Sequence, residues 1–266
     1  MPTVADVVAL LDEWYPPGTA ESYDAVGLVA GDPDAAAARV MFAVDPTIEV
    51  AREAVQWGAD LLVVHHPLFL TAVSSVAATT PKGRTLHTLT SGGCALLTAH
   101  TNADGATSGV SESLAAALGM RDLTPIRPSP ESPDTGTGRL GAVESTTLDA
   151  FAAHVGTVLP RTAHGVRVAG DPDRPVSRVA VCGGAGDFLL DELAHSDADV
   201  FVTSDLRHHR AAEFLEHDGP ALIDVAHWAA EWTWLPVVEG RLRDALGDRV
   251  DTRISTQCTD PWHFRH

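Results

Sequence analysis

The sequence predicts an α/β fold made of duplicated α/β units, with a metal site between the two halves and a short connecting segment joining them. Two observations predict it. Apolar runs of strand length alternate with helical stretches, and several of these runs end in histidine, twice with a carboxylate four residues further on. The same order of parts then recurs late in the chain at matched spacing. Buried parallel strands read as continuous apolar runs, and open α/β sheets bind ligands at the carboxyl ends of their strands.

The elements follow in order. Residues 4–15 carry apolar side chains at helical spacing and stop at Pro16-Pro17-Gly18. Residues 22–28 read as a turn leading into an edge strand. Residues 40–44 predict a strand, 46–57 a helix and 61–64 a second strand. A helix over 81–91, closed by Gly92-Gly93, leads to a strand over 95–99. A helix over 111–118 completes an N-terminal α/β half, residues 1–120. Residues 121–176 form the connecting segment. Its stretch 124–133, with Pro125, Pro128, Pro130 and Pro133 around Glu131, predicts an irregular loop, before a helix over 148–158 and a strand over 165–168. Residues 177–266 form a C-terminal α/β half that completes the metal site.

The repeat supports the duplication. Arg39-Val40 precedes Ala59-Asp60 by the same interval that separates Arg178-Val179 from Ala198-Asp199. A strand follows each Ala-Asp, then a polar cluster, His65-His66 in one half and Ser204-Asp205 in the other. A helix and another strand come next, ending in His100 or His227. Chance similarity between two α/β halves is the competing explanation, and the matched polar positions weigh against it.

These polar positions suggest the chemistry. Adjacent strand residues point to opposite faces, but Pro67 breaks the pleat after His65-His66, so both can turn to a common cleft. An isolated His-His pair is more often a surface pair, and the preceding apolar run argues otherwise. His100 and Asp104, like His227 and Glu231, are four apart, which on a helix is one face. Residues 228–232 suit a first helical turn, whereas Thr101-Asn102-Ala103-Asp104-Gly105 is turn-like, so Asp104 is expected from a loop and His100 in a supporting role. Asp205 has three open roles: ligand, hydrogen-bond partner of a ligand histidine, or cap of the helix beginning near Arg210. Arg207-His208-His209 could contact an anion. His100, Asp205 and His209 are candidates for support or proton transfer. The glycine-rich stretch Cys182 to Asp187 is not a dinucleotide fingerprint and reads as a tight turn opening a helix over 188–194. No serine-nucleophile elbow is present.

Composition excludes some partners. The net charge is −18 and Lys82 is the only lysine, which disfavours nucleic acid or an anionic membrane surface as a partner. No apolar stretch reaches the roughly 18–20 residues a membrane span needs. Three scattered cysteines, Cys94, Cys182 and Cys258, and no visible secretory signal lead to the expectation of a soluble protein in a reducing cytoplasm.

Together, residues 22–28, 60–69 (with His-His-Pro), 99–104 (Ala-His-Thr-Asn-Ala-Asp), 182–189, 202–209 and 224–231 resemble the Nif-three-like dinuclear-metal-centre family, whose members carry the label GTP cyclohydrolase I type 2 homolog. The resemblance covers nearly the whole chain. It implies that His65, His66, Asp104, His227 and Glu231 bind two divalent ions, with Glu231 as bridge. It also implies a duplicated α/β fold, a toroidal hexamer, and a short member lacking the insertion of some relatives. Tyr23-Asp24-Ala25 departs from a typical Trp-Asp-Asn.

Mixed histidine and carboxylate ligation suits Zn, Fe, Mn, Co or Ni. The leading expectation is a metal-dependent hydrolase acting through a metal-bridging hydroxide on a small molecule, with a nucleotide or other cyclic amide as the class the family label suggests. The alternative is a non-catalytic metal-binding protein serving regulation or interaction.

Overall fold

Asp60 and Asp199 show why the sequence repeats. In a computed structural model describing residues 1–130 and 132–266, Asp60 Oδ2 accepts the backbone N–H groups of Ala38 and Arg39, both at 2.8 Å. Asp199 Oδ2 accepts those of Ser177 and Arg178 at 2.7 and 2.8 Å. Each aspartate, just before one strand, thus ties that strand to the preceding one across the same 21-residue separation. Glu131, within the proline-rich stretch, lies outside the described residues.

Along the chain the helices are α1 (Val4–Trp14), α2 (Ile48–Trp57), α3 (Pro81–Ser91), α4 (Thr101–Asp104), α5 (Val110–Ala117), α6 (Leu148–Val158), α7 (Leu190–Leu193), α8 (His208–Phe214), α9 (His227–Trp232) and α10 (Leu235–Leu246). The strands are β1 (Gly27–Ala30), β2 (Arg39–Ala43), β3 (Leu61–Val64), β4 (Ala95–Thr98), β5 (Arg121–Thr124), β6 (Arg127–Pro128), β7 (Gly136–Thr137), β8 (Arg139–Thr147), β9 (Val166–Ala169), β10 (Pro175–Ala185), β11 (Val200–Ser204), β12 (Ala221–Val225) and β13 (Asp251–Ile254). They belong to two compact units, one of Met1–Ala103 with Leu235–Thr259, the other of Asp104–Trp234 with Asp260–His266. This division differs from the sequence boundaries at 120 and 176, because residues 235–259 return to the first unit.

The first unit has a five-stranded sheet in the order β1-β4-β3-β2-β13, parallel except for β1. All residues of β3 and β4 are buried, as their unbroken apolar runs require. Met41, Leu62, Val64 and Leu96 pack with Val50, Ala51 and Ala54 of α2 and Leu89 of α3. The alternate residues Val40, Phe42, Leu61 and Val63 are equally buried on the other face. Truncating one such side chain, as in Leu62→Ala, costs about 2–5 kcal/mol. Thr47 caps α2 by accepting the Val50 N–H, and Thr80 caps α3 through Gly83, with Pro81 at its first position.

The second unit has a six-stranded sheet in the order β5-β8-β10-β11-β12-β9. Strands β10, β11 and β12 are parallel, as β2, β3 and β4 are in the first unit, and the flanking β8 and β9 run antiparallel to them. Phe201, Phe214, Leu189, Leu190 and Leu222 fill its core. The proline-rich segment is more regular than the sequence predicts. Strand β5 pairs with β8, and β6 pairs with β7. Proline holds the residue before it extended, which edge strands accommodate, so proline density does not exclude them. The expected helix over 188–194 is a 3₁₀ turn, Asp187–Leu189, running into the four-residue α7. Among the described residues no helix is long and apolar enough to cross a membrane.

Candidate metal centre

In the first unit, His65 and His66 follow β3 directly. Their backbone N–H groups both reach the Val44 carbonyl, at 3.1 and 2.9 Å, so strand-like pairing runs two residues past β3 and ends at Pro67. The His65 ring is fully buried and its Nδ1 donates to the Ala99 carbonyl at 3.0 Å. A carbonyl only accepts, so the partner fixes the proton on Nδ1 and makes Nε2 the lone-pair nitrogen. His66 Nδ1 meets Asp45 Oδ1 at 2.7 Å, and His100 Nδ1 meets Asp24 Oδ1 at 2.8 Å, with the same consequence. One ring nitrogen from each of His65, His66 and His100 lies within 4.8 Å of the others.

The carboxylates behind these rings are themselves held. Asp24 accepts the Thr101 backbone N–H at 3.0 Å, the Thr101 hydroxyl, and the Ala25 N–H at 2.7 Å. Burial alone would raise the Asp24 carboxyl, but hydrogen bonds from Thr101 and His100 outweigh it and keep it below the usual carboxylate range. The second oxygen of Asp45 accepts the Thr259 hydroxyl. Burial, with His65 close by, pushes His100 below the ordinary histidine value despite Asp24. Neutral imidazole is the form that coordinates metals.

In the second unit, Asp104 closes α4, His227 opens α9, and Glu231 lies one turn further on, buried. Helical i,i+4 spacing brings His227 Nε2 to 2.8 Å from Glu231 Oε1, while His227 Nδ1 meets Asp205 Oδ2 at 2.7 Å. Asp205 follows β11 with φ +59°. The His227 hydrogen bond, against the effect of burial, holds its carboxyl low. The buried Cys182 thiol is pushed up to about 12 by burial and then by the negative charge of Asp104 and Glu231. Both carboxylates therefore act on one buried point.

A local irregularity of β10 opens this cluster. Its pairing with β11 jumps from Val181↔Val202 to Ala185↔Ser204, so Cys182, Gly183 and Gly184 bulge out of register. A Cβ on Gly184 would stand 2.6 Å from Glu231 Oε1 and 3.2 Å from His227 Nε2, and the residue has φ +70°. Only glycine lets the strand backbone approach the pair so closely. The buried Thr203 hydroxyl donates to the Gly184 carbonyl at 2.9 Å and fixes the bulge. Imidazole nitrogens and carboxylate oxygens, with the second ring nitrogen hydrogen-bonded to an oxygen, form a donor set that fits Zn, Fe, Mn, Co or Ni.

The family description Duf34/NIF3 (NGG1p interacting factor 3) matches residues 2–261. This chain belongs to the Duf34/NIF3 family. A Streptomyces coelicolor protein named GTP cyclohydrolase 1 type 2 homolog is 46% identical over 269 residues, covering 98% of this chain and 94% of that protein. A Mycobacterium bovis protein of the same name is 36% identical, covering 99% and 97%, and its alignment runs to 370 positions, well beyond the 266 residues here. Among solved structures, a Staphylococcus aureus protein described as hypothetical is 28% identical with a TM-score of 0.90, covering 100% of each chain. A Bacillus cereus protein related to NIF3 shares the fold at 24% identity and a TM-score of 0.90, covering 99% of each.

Within this Duf34/NIF3 chain the expected residues fall into two groups. The first unit brings together His65, His66 and His100; the second brings together His227 and Glu231, with Asp104 near the same buried thiol. His100, expected in support, has the same Nδ1–carboxylate arrangement as His66 and offers a donor nitrogen of its own. Asp104 lies on a one-turn helix rather than the expected loop, because Asn102 turns inward: its Oδ1 accepts the His100 N–H and its amide donates to the Tyr15 carbonyl. Of the three roles open to Asp205, the structure shows the hydrogen bond to a candidate ligand histidine; Arg207 occupies the cap position of α8. Arg207 pairs with Asp187. His209 is exposed, edge-on to His208 at 5.2 Å, with no hydrogen bond to the candidate ligands of its unit. Sequence reasoning missed Asp24, Asp45 and Gly184. Asp45 was findable, since it too follows an apolar strand.

Proposed function

We propose that this protein binds two divalent transition-metal ions per chain through His65, His66, Asp104, His227 and Glu231, and acts as a metal-dependent hydrolase on a small molecule. One observation carries the reading. Four histidines at three strand ends each commit Nδ1 to a carbonyl or carboxylate: Ala99, Asp45, Asp24 and Asp205. That arrangement fixes tautomer and ring direction and raises the basicity of Nε2, as metal-ligating histidines require. Bound ions of this kind supply Lewis acidity toward a carbonyl or phosphoryl oxygen and acidify a water toward neutrality. The chain's own contribution is to hold the donors. Asp45 and Asp205 keep His66 and His227 in one tautomer, and Gly184 leaves room beside Glu231.

The name of the Streptomyces coelicolor relative makes ring-opening of a purine nucleotide the first reaction to test. A toroidal hexamer in the cytoplasm belongs to the same reading and rests on the resemblance. Elemental analysis of protein purified without chelator is expected to find close to two transition-metal ions per chain, and His66→Ala or Glu231→Ala to lose most of them. No metal after purification and none taken up on reconstitution would overturn the assignment. A screen of nucleotides, phosphoesters and cyclic amides then separates hydrolase from metal-binding protein, which silence across all classes with metal present would favour.

A further inference from the structure

The first unit contains a cleft of about 410 Å³ lined by His66 and Asp45, by apolar residues such as Leu68, and by Lys82 and Arg84. That volume falls within the range of small-molecule sites, about 300–1,000 Å³. Its charges are unusual for this chain. Lys82 is the only lysine, in a sequence with 36 acidic residues against 18 basic ones. Several arginines elsewhere are committed to carboxylates: Arg127 to Glu192, Arg167 to Asp224, Arg207 to Asp187, Arg210 to Asp191. Lys82 and Arg84 are exposed, and among the described residues neither has a carboxylate within ion-pair distance. Of the acidic residues in the cleft, Asp45 is taken up by His66 and Thr259, leaving Glu49. The cleft therefore sets two cations without ion-pair partners beside two carboxylates, one of them already held by hydrogen bonds. Helices α2 and α3 also begin at this cleft, and their positive ends add to the attraction for an anion.

We propose that the cleft binds the phosphate of a phosphorylated small molecule on Lys82 and Arg84, with the rest of the molecule lying along the apolar wall toward His66. The direction of the bound molecule rests on the reading of His66 as a metal ligand; the anion site stands on the two cations. Arginine offers a planar fork and lysine a point charge, and both serve phosphate oxygens.

The test is calorimetric titration of the full-length protein with pyrophosphate, as purified and after dialysis against EDTA, with metal content measured alongside. Lys82→Ala and Arg84→Ala should each weaken binding on the order of tenfold, and the double variant should abolish it, with metal content unchanged. Both side chains are exposed, so the variants should keep the parent circular dichroism; Lys82→Glu provides a second, stronger perturbation. Binding that survives the double variant, that vanishes on EDTA dialysis, or that is absent from the parent overturns the proposal. Lys82-dependent binding to a protein that holds no metal as purified and takes none up on reconstitution supports the anion site and removes the metal assignment, so the two readings fail separately.

Discussion

Gly184→Ala separates the role of the β10 bulge at the proposed metal centre from its role in stability. Two effects meet at this residue. At φ +70° an L-residue occupies the left-handed region, which costs about 1–2 kcal/mol. The added methyl would also stand 2.6 Å from Glu231 Oε1, where ordinary contact begins near 3.4 Å, so strand or carboxylate must retreat by about 0.8 Å. The 2.8 Å contact between Glu231 and His227 cannot survive such a shift unchanged. Disturbed support around a metal ligand typically costs about 10–100-fold in affinity, and the same loss is expected here. Gly93→Ala is the control. Its φ is +71° and nothing lies within 4 Å of the added methyl, so it carries the backbone cost alone. Denaturant midpoints should fall in both variants, further in Gly184→Ala, while competition with a chelator should show weakened metal binding only in Gly184→Ala. Metal bound by Gly184→Ala as tightly as by the parent, or lost equally from Gly93→Ala, would refute the reasoning.

Asp45→Asn and Asp205→Asn should each weaken metal binding by about 10–100-fold with unchanged circular dichroism, since an amide no longer specifies the histidine tautomer; unaltered metal content in both would count against the arrangement. The thiols should divide by burial. With Cys94 and Cys182 pushed up to about 12, about one in 10⁴ is thiolate at pH 8, against roughly a quarter of an ordinary thiol. Exposed Cys258 alone should therefore react rapidly with a disulfide reagent in the native protein, and all three in guanidinium. Two fast native thiols would contradict the structure. Asp60→Ala and Asp199→Ala should each cost about 1.5–3 kcal/mol by freeing two backbone N–H groups, measured by denaturant unfolding. A large effect in one with none in the other would mean that the repeated interaction is not equivalent in the two halves.

What the sequence made legible was whatever local pattern carries. Leu61–Val64 and Ala95–Thr98 are buried on both faces, so their apolar runs announced parallel strands and the histidines after them announced the strand ends. The spacing of Arg39 to Asp60 and Arg178 to Asp199 was legible because one hydrogen bond recurs in both halves. The partners of the ring nitrogens were not. Asp24 reaches His100 from 76 residues away, in a turn with no pattern of its own. Strand β13 is a four-residue edge strand with exposed Asp251 and Arg253, and it lacks the apolar run that marks interior strands. Gly184 looked like an ordinary turn glycine because the reason for it, a carboxylate beside the backbone, lies on a helix more than forty residues later.

The pairing of β13 with β2 joins Asp251 to Arg39 and so closes the first sheet across most of the chain. During synthesis, the first four strands of that sheet leave the ribosome with β2 as one edge, and they wait for nearly the whole polypeptide before β13 covers it. The second sheet has no such delay, because its strands all lie between residues 121 and 225. The sheet whose strands begin first in the chain is therefore the one whose last strand is synthesised last. Exposed edge strands are the usual point of mispairing with other chains, which makes the interval before residue 251 emerges the vulnerable period in the life of this protein.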